Sequence, residues 1–425
     1  MKTMLMIFLL SSFTLFGAEM VAPIQAVSKE GILAAALPKN LIIHEARSHW
    51  IVKTPLANME KRDFYFASLA PNVTDLSHFD QFGKVLASQT GEFIVIEPKN
   101  RTAMLELAQD LHELGHQCGS LQKLSSTAIV TEVLDSKPLI SNKDQRVADI
   151  LDKANRDHIV RTVELMSSWG TRFESSPEGH ATSRKLKEIF ENLTPADRKD
   201  IEMELVSHRG SDQSSLVIRI LGSQTPDELV ILGSHLDSIN SNNNSNAPGA
   251  DDDASGTAAN IEVYRLLMEN QVRPLKTIEI HAYAAEEIGL VGSAEIAEQY
   301  RAQGRQVAAM VQFDLTGYSK DGKKHFYFVS NNTNQNLTRE VASLVDTYLN
   351  TTWSTQMLLF GSSDHASWHK RGFPVAFPTE NPFSYNRKIH SAGDTIDGIN
   401  QTEQMEDFAK LGVAYLMHFA GYESL

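Results

Sequence analysis

Two hydrophobic periods alternate along most of this chain. From residue 144 onward, short continuous apolar runs of strand length are followed by runs with apolar residues at helical spacing. Asp227-Glu228-Leu229-Val230-Ile231-Leu232 is one such strand, and 257–270 after it is spaced as a helix. The same pattern predicts helices at 147–169, 180–192, 292–303 and 402–420. It predicts strands at 201–206, 215–221, 277–284, 308–313, 325–329 and 374–377. Strand–helix alternation on this scale predicts a three-layer α/β/α sandwich around a mixed, mostly parallel sheet.

Ahead of this block the pattern differs. Lys2 precedes a short apolar run from Met4 to Phe16, too short to span a bilayer comfortably. Residues 1–26 therefore read as a signal peptide with an approximate end, and Ala18, Ala22 and Ala26 are candidate cleavage points. Residues 27–136 read as a small separate α+β unit, a propeptide or an accessory domain. It carries strands at 63–69 and 92–97 and an amphipathic helix at 102–116. The boundary falls in 125–142, a stretch without strong helical periodicity that contains Pro138, so the main unit is 137–425. The protein is expected to be exported, either extracellular or periplasmic, without stable membrane association.

A net charge of −14 argues against nucleic acid and anionic membrane as partners, because both need a basic face. The single cysteine, Cys118, allows neither an intramolecular disulfide nor a cysteine-rich zinc site. A monomer is expected.

The candidate chemistry clusters in the alternating block. Gly233-Ser234-His235-Leu236-Asp237-Ser238 follows the strand at 227–232, and Ala250-Asp251-Asp252-Asp253-Ala254 opens the helix after it. One helix cap needs one Asp, not three with a His-x-Asp upstream. Glu286 and Glu287 follow the strand at 277–284, and Asp314 follows 308–313. His235, Glu286, Glu287 and Asp314 thus lie just beyond the carboxyl ends of separate strands, where an open α/β sheet holds its ligands. Adjacent residues on an extended strand point opposite ways, so Glu286 and Glu287 suit two different tasks. Asp237, two residues after His235, suits a carboxylate that fixes the ring tautomer. Further pieces are Ser363-Asp364-His365 and Arg387-Lys388-Ile389-His390.

Other histidines read more plainly. His281 lies within a strand and reads as a core residue; His365 and His369 read as structural. His112-Glu113-Leu114-Gly115-His116 is a literal H-E-x-x-H, in which two His one turn apart can bind zinc. The position of a third ligand would be Gln122, which does not bind zinc, so a polar helix face is the expectation.

Together the motifs from Gly233 to His390 resemble the secreted bacterial di-zinc leucyl aminopeptidases, over about the last two-thirds of the chain. The resemblance implies two zinc ions. His235 and Asp314 would bind one and Glu287 and His390 the other. Asp252 would bridge them, with a cis peptide bond to Asp253. A water bridging such a pair loses its proton near neutral pH. Glu286 would be the general base, and Asp237 would hold the His235 imidazole. Leu315, Phe328, Phe377, Phe383 and Ile389 would line an apolar pocket for the first side chain. Substrates would be peptide or protein N-termini with hydrophobic first residues. Same-fold carboxypeptidases, deacylases and glutaminyl cyclases are the alternative reading. Residues 358–362 lack the cysteine and tyrosine that some relatives carry there.

Overall fold

The computed structural model describes residues 24–28, 42–45, 49–53, 63–115, 120–124, 142–358 and 362–423. Most of the expected signal peptide, the boundary stretch and residues 359–361 lie outside the described residues. The described residues form two compact units, one up to residue 124 and one from residue 142.

The first unit holds strands β1 (Ile24–Ser28), β2 (Ile42–Glu45), β3 (His49–Lys53), β4 (Phe64–Ser68), β5 (Gly83–Gln89) and β6 (Phe93–Pro98). Helix α1 (Arg101–Gly115) and strand β7 (Leu121–Leu124) complete it. Two antiparallel sheets result, in the orders β1-β3-β2 and β5-β6-β4-β7. Phe64, Phe66, Phe93 and Val95 form its core with Ile43 and Ile51. Ala26, one candidate cleavage point, lies within β1. His112 and Glu113 fall at the end of α1, while His116 and both of those side chains lie outside the described residues.

The second unit begins with α2 (Gln145–Leu151), α3 (Arg156–Ser167) and α4 (Pro177–Leu193). The single helix expected at 147–169 is therefore two. Asn155 takes an extended backbone, and its side chain accepts the N–H groups of Asp157 and His158, which starts a new helix there. Strands β8 (Ile201–Val206), β9 (Ser215–Ile220) and β10 (Thr225–His235) follow, then α5 (Gly256–Glu269), β11 (Lys276–Tyr283), α6 (Val291–Ala302) and β12 (Gln306–Gln312). Next come β13 (His325–Val329), α7 (Gln335–Tyr348), β14 (Thr352–Gln356), α8 (His365–Lys370), β15 (Val375–Ala376), β16 (Pro378–Thr379) and α9 (Thr402–Ala420).

The central sheet runs β15-β12-β10-β11-β9-β8. Its first four strands are parallel, and β9 and β8 add antiparallel at one edge. Side-chain alternation on the strands supplies both faces. On β10, Val230 and Leu232 join the core under α3, α5 and α9, while Leu229 and Ile231 join the opposite core with Ile296 of α6 and Trp368 of α8. That is a three-layer α/β/α sandwich with a mixed sheet. A separate small sheet has the order β14-β13-β16, with β13 parallel to β14 and antiparallel to β16.

Candidate metal centre

Three neighbouring parallel strands deliver the site. His235 is the last residue of β10. Glu286 and Glu287 lie in the turn after β11, and Asp314 lies two residues past β12. Asp252 sits in a kinked segment, Ala250–Ser255, before α5, and the bond from Asp252 to Asp253 is cis. His390 comes from the long loop between β16 and α9. Ala285, Leu315 and His390 all have positive φ, at 55°, 58° and 55°. Non-glycine residues in that region are sparsely populated and concentrate at functional sites.

Asp252 is the hinge of the arrangement. Its Oδ1 lies 3.0 Å from His235 Nε2 and its Oδ2 lies 2.9 Å from His390 Nε2. Asp314 Oδ1 is 3.8 Å from His235 Nε2, and Glu287 Oε2 is 3.4 Å from His390 Nε2. Two triads result, His235–Asp252–Asp314 and Asp252–Glu287–His390, with donor atoms within 4.8 Å of one another and all three members of each buried. Each triad offers imidazole nitrogen and carboxylate oxygen, the donor set of a catalytic zinc with three protein ligands and an open position.

Positioning groups surround the triads. Asp237 lies 3.3 Å from His235 Nδ1. Its two oxygens also accept the backbone N–H groups of Glu286 and Glu287, at 3.0 and 3.2 Å. Asp253 accepts from the N–H of His235 and of Gly256, which ties the strand end to the helix start. Asp251 accepts from Gly317 N–H at 3.0 Å. Asp394 accepts the N–H groups of Asp251 and Asp252, both at 3.1 Å. Sequence reasoning assigned Asp394 no role, although it stands four residues after His390. Asp364 accepts from Gln312 Nε2 at 3.2 Å, bracing the loop before α8.

The electrostatics call for added positive charge. Asp237, Asp251, Asp252, Asp253, Glu286, Glu287, Asp314 and Asp394 are all buried here, against Arg172, His235 and His390. Burial alone would lower the His235 imidazole, but hydrogen bonds to Asp237, Asp252 and Asp314 hold it well above its ordinary value. Burial pushes the carboxyls of Glu286 and Glu287 well above the usual range. Burial acts the same way on Asp252, yet bonds to His235 and His390 outweigh it and hold Asp252 well below that range. Uncompensated buried charge is expensive, and divalent cations in the triads would relieve it. Both oxygens of Glu286 and Oδ1 of Asp314 are buried without a hydrogen-bond partner among the described residues. These residues fit a metal pair.

The neighbouring cavity, about 50 Å³, is lined by Asp314, Leu315, Leu358, Phe377, Tyr385 and Ile389, with Glu380 among its walls. Phe328 and Phe383 do not line it. Phe328 is fully buried in the main core, and Phe383 is 47% exposed. Tyr385, Pro382 and Leu358 are lining residues that sequence reasoning missed; no periodic signal marks such loop positions. Glu380 is fully buried, and its oxygens accept the N–H groups of Tyr318 and Asn386 at 2.8 and 3.0 Å. His281 and His365 lie outside the triads. His281 Nε2 donates to Glu279 Oε2 at 2.9 Å, and His365 stacks on Phe377 with Nε2 3.2 Å from the Asn331 carbonyl.

Comparisons with known proteins identify the family of this chain. Residues 215–414 match the model of peptidase family M28. A Saccharomyces cerevisiae protein named as a probable aminopeptidase is 35% identical over 278 residues, 63% of this chain and 74% of that one. A protein of Arthroderma benhamiae named as a probable leucine aminopeptidase is 34% identical over 282 residues, 64% of this chain and 76% of that one. The LapA aminopeptidase structure from Legionella pneumophila superposes with a TM-score of 0.73 at 26% identity, over 85% of this chain and 99% of that one. Fold and matches together define a hydrolase of peptide bonds on an α/β/α scaffold. The chain belongs to peptidase family M28.

Proposed function

We propose that this peptidase is an exported aminopeptidase that holds two zinc ions and releases hydrophobic N-terminal residues. The observation that carries the proposal is Asp252, whose two carboxylate oxygens face the Nε2 atoms of two different histidines. His235 and Asp314 would hold one ion, Glu287 and His390 the other, and Asp252 would serve both. When bound, such a pair supplies Lewis-acid polarisation of the scissile carbonyl and a water of lowered pKa.

The chain's own groups do the rest. Glu286 takes the proton from the attacking water and passes it to the leaving amine; its oxygens are free of other hydrogen bonds among the described residues. Asp237 fixes both the His235 ring and the backbone of the Glu286–Glu287 turn. Leu315, Phe377 and Ile389 receive the first side chain beside Asp314. Burial of an apolar side chain there contributes about 1.5–3 kcal/mol.

Peptide and protein N-termini are the substrates, and the enzyme works as a monomer. The unit at 27–136 is a propeptide behind a signal peptide at 1–26. N-terminal sequencing of secreted, active protein checks this: a start before about residue 100 with full activity overturns it. The function itself is tested by the zinc-to-protein ratio of the purified chain, measured beside activity on leucine amide and on N-acylated leucine. Two zinc ions and turnover of the free-amine substrate alone are expected. Turnover of the N-acylated substrate alone sinks the aminopeptidase reading in favour of a deacylase.

A further inference from the structure

Arg172 has no part in the reading above, yet it lies at the centre of the loops that carry the site. It stands between α3 and α4 and is fully buried. Nε donates to the Leu236 carbonyl at 2.9 Å, and Nη1 donates to the Pro248 carbonyl at 2.6 Å. Nη2 donates to the carbonyls of Gly249 and Asp252, at 2.8 and 3.4 Å. Every hydrogen bond this guanidinium makes among the described residues goes to a main-chain carbonyl. One of those carbonyls follows His235, and the others lead into or belong to the segment of Asp252.

The backbone of Arg172 faces the other half of the site. Its carbonyl accepts from Gln213 Nε2 at 3.1 Å, and Gln213 Oε1 accepts from Ala285 N–H at 3.2 Å. Ala285 has φ 55° and immediately precedes Glu286. Gly249 shows how closely the loop is drawn around the cation. Its φ is 53°, and a Cβ there would lie 2.8 Å from Arg172 Nη2 and 2.5 Å from the Asp252 carbonyl.

We propose that Arg172, acting with Gln213, is a positioning residue that fixes the Asp252 segment relative to the Glu286–Glu287 turn. The proposal rests on the reading of Asp252 as the shared ligand and Glu286 as the base. A planar guanidinium has five N–H donors in a rigid fork and can gather carbonyls from several directions at once. A lysine at the same place offers three donors on one atom, and some of these buried carbonyls would lose their partner. A ligand or base must be held to within about 0.5 Å, so slack in this brace reaches the chemistry without touching substrate.

The test uses the full chain with Arg172→Lys and Gln213→Met, zinc alone as the metal probe, and a leucine anilide as substrate. Zinc retention is read by competition with a chelator, separately from activity. Arg172→Lys should release zinc at a chelator concentration roughly tenfold lower than the unmodified chain, a loss of the size seen when groups behind metal ligands are changed. Gln213→Met should keep its KM while kcat falls roughly tenfold and lose less zinc than Arg172→Lys, because only the Glu286–Glu287 side of the brace is loosened and the Asp252 segment stays held. A general loss of packing would instead lower the active fraction and leave kcat per zinc-loaded molecule unchanged, which overturns the proposal. Wild-type zinc retention in Arg172→Lys also overturns it. If Arg172→Lys fails to fold, Gln213→Met decides alone, and wild-type kcat there is the contrary result. An unmodified chain that binds no zinc overturns the metal reading itself, a result distinct from any difference between variants.

Discussion

One strand, β11, carries two buried acidic centres that have opposite character. Within it, Glu279 sits beneath a cavity of about 390 Å³ at the amino ends of the parallel strands, lined by Arg219, Tyr300 and Arg305 among others. Glu279 accepts from Arg219 Nε at 2.7 Å, Tyr300 Oη at 2.9 Å and Arg305 at 3.3 Å, and lies 2.9 Å from His281 Nε2. Burial would raise its carboxyl, but His281 and Arg219 outweigh that and hold it at about 2. Just past the other end of the strand, Glu286 is equally buried, has no hydrogen-bond partner among the described residues, and is pushed well above the usual range. Both centres are buried, both pair carboxylates with histidine, and the Glu279 centre borders much the larger cavity. Charge balance separates them. A carboxylate with its donors in place is part of the scaffold, whereas a cluster short of positive charge is built to receive it.

The largest effect that probes this contrast is catalytic. Glu286→Ala should keep both metal ions and lose roughly 10²–10⁴-fold in kcat, the usual contribution of a general base. Metal analysis beside steady-state kinetics checks it. Loss of an ion in that variant, with Glu287→Ala keeping both, would exchange the roles of the two glutamates.

The complementary change falls on stability. Glu279→Ala leaves Arg219 without its buried partner and should cost about 3–5 kcal/mol in urea unfolding, with zinc content and kcat per folded molecule unchanged. Its acid dependence has a defined sign. The folded-state pKa of Glu279 is depressed, so its contribution is fully present above the unfolded value near 4.5 and is lost as pH falls through about 2. The pH dependence of stability over that interval should shrink by on the order of 3 kcal/mol in Glu279→Gln. An unchanged acid limb in that variant would mean that the network does not hold the charge.

Glu380 stands between the two cases and gives the smallest effect. It borders the cavity beside Asp314, but two backbone N–H groups occupy its oxygens. An N-terminal lysine would lose hydration there without gaining a partner. Leucine and phenylalanine anilides should therefore exceed the lysine anilide in kcat/KM by roughly 10–200-fold. A preference for lysine would show that Glu380 turns toward the substrate.

Much of this was legible in the residues. The strand periods placed β8 to β13 and α9 within a few residues, because buried strands and long helices carry their burial pattern in the sequence. His235, Asp237, Glu286, Glu287 and Asp314 stood out because they end strands, and a parallel sheet brings strand ends together. The break between α2 and α3 was missed because the apolar spacing continues across Asn155, whose cap acts through its side chain. The assignment of Phe328 and Phe383 to the cavity failed for a related reason: proximity in sequence to a ligand does not say which way a side chain faces.

The sequence by itself determined the family, through its motifs, and the sheet, through its hydrophobic periods. The resemblance implied a bridging Asp252, and the tertiary structure set it between two histidines 155 residues apart in the chain (390 − 235), 3.0 and 2.9 Å from their Nε2 atoms. Only the tertiary structure decided the convergence of Arg172, Gln213 and Asp394 on one set of loops. Their contacts are with backbone N–H and carbonyl groups, which every residue presents alike, so no motif in the sequence can mark them.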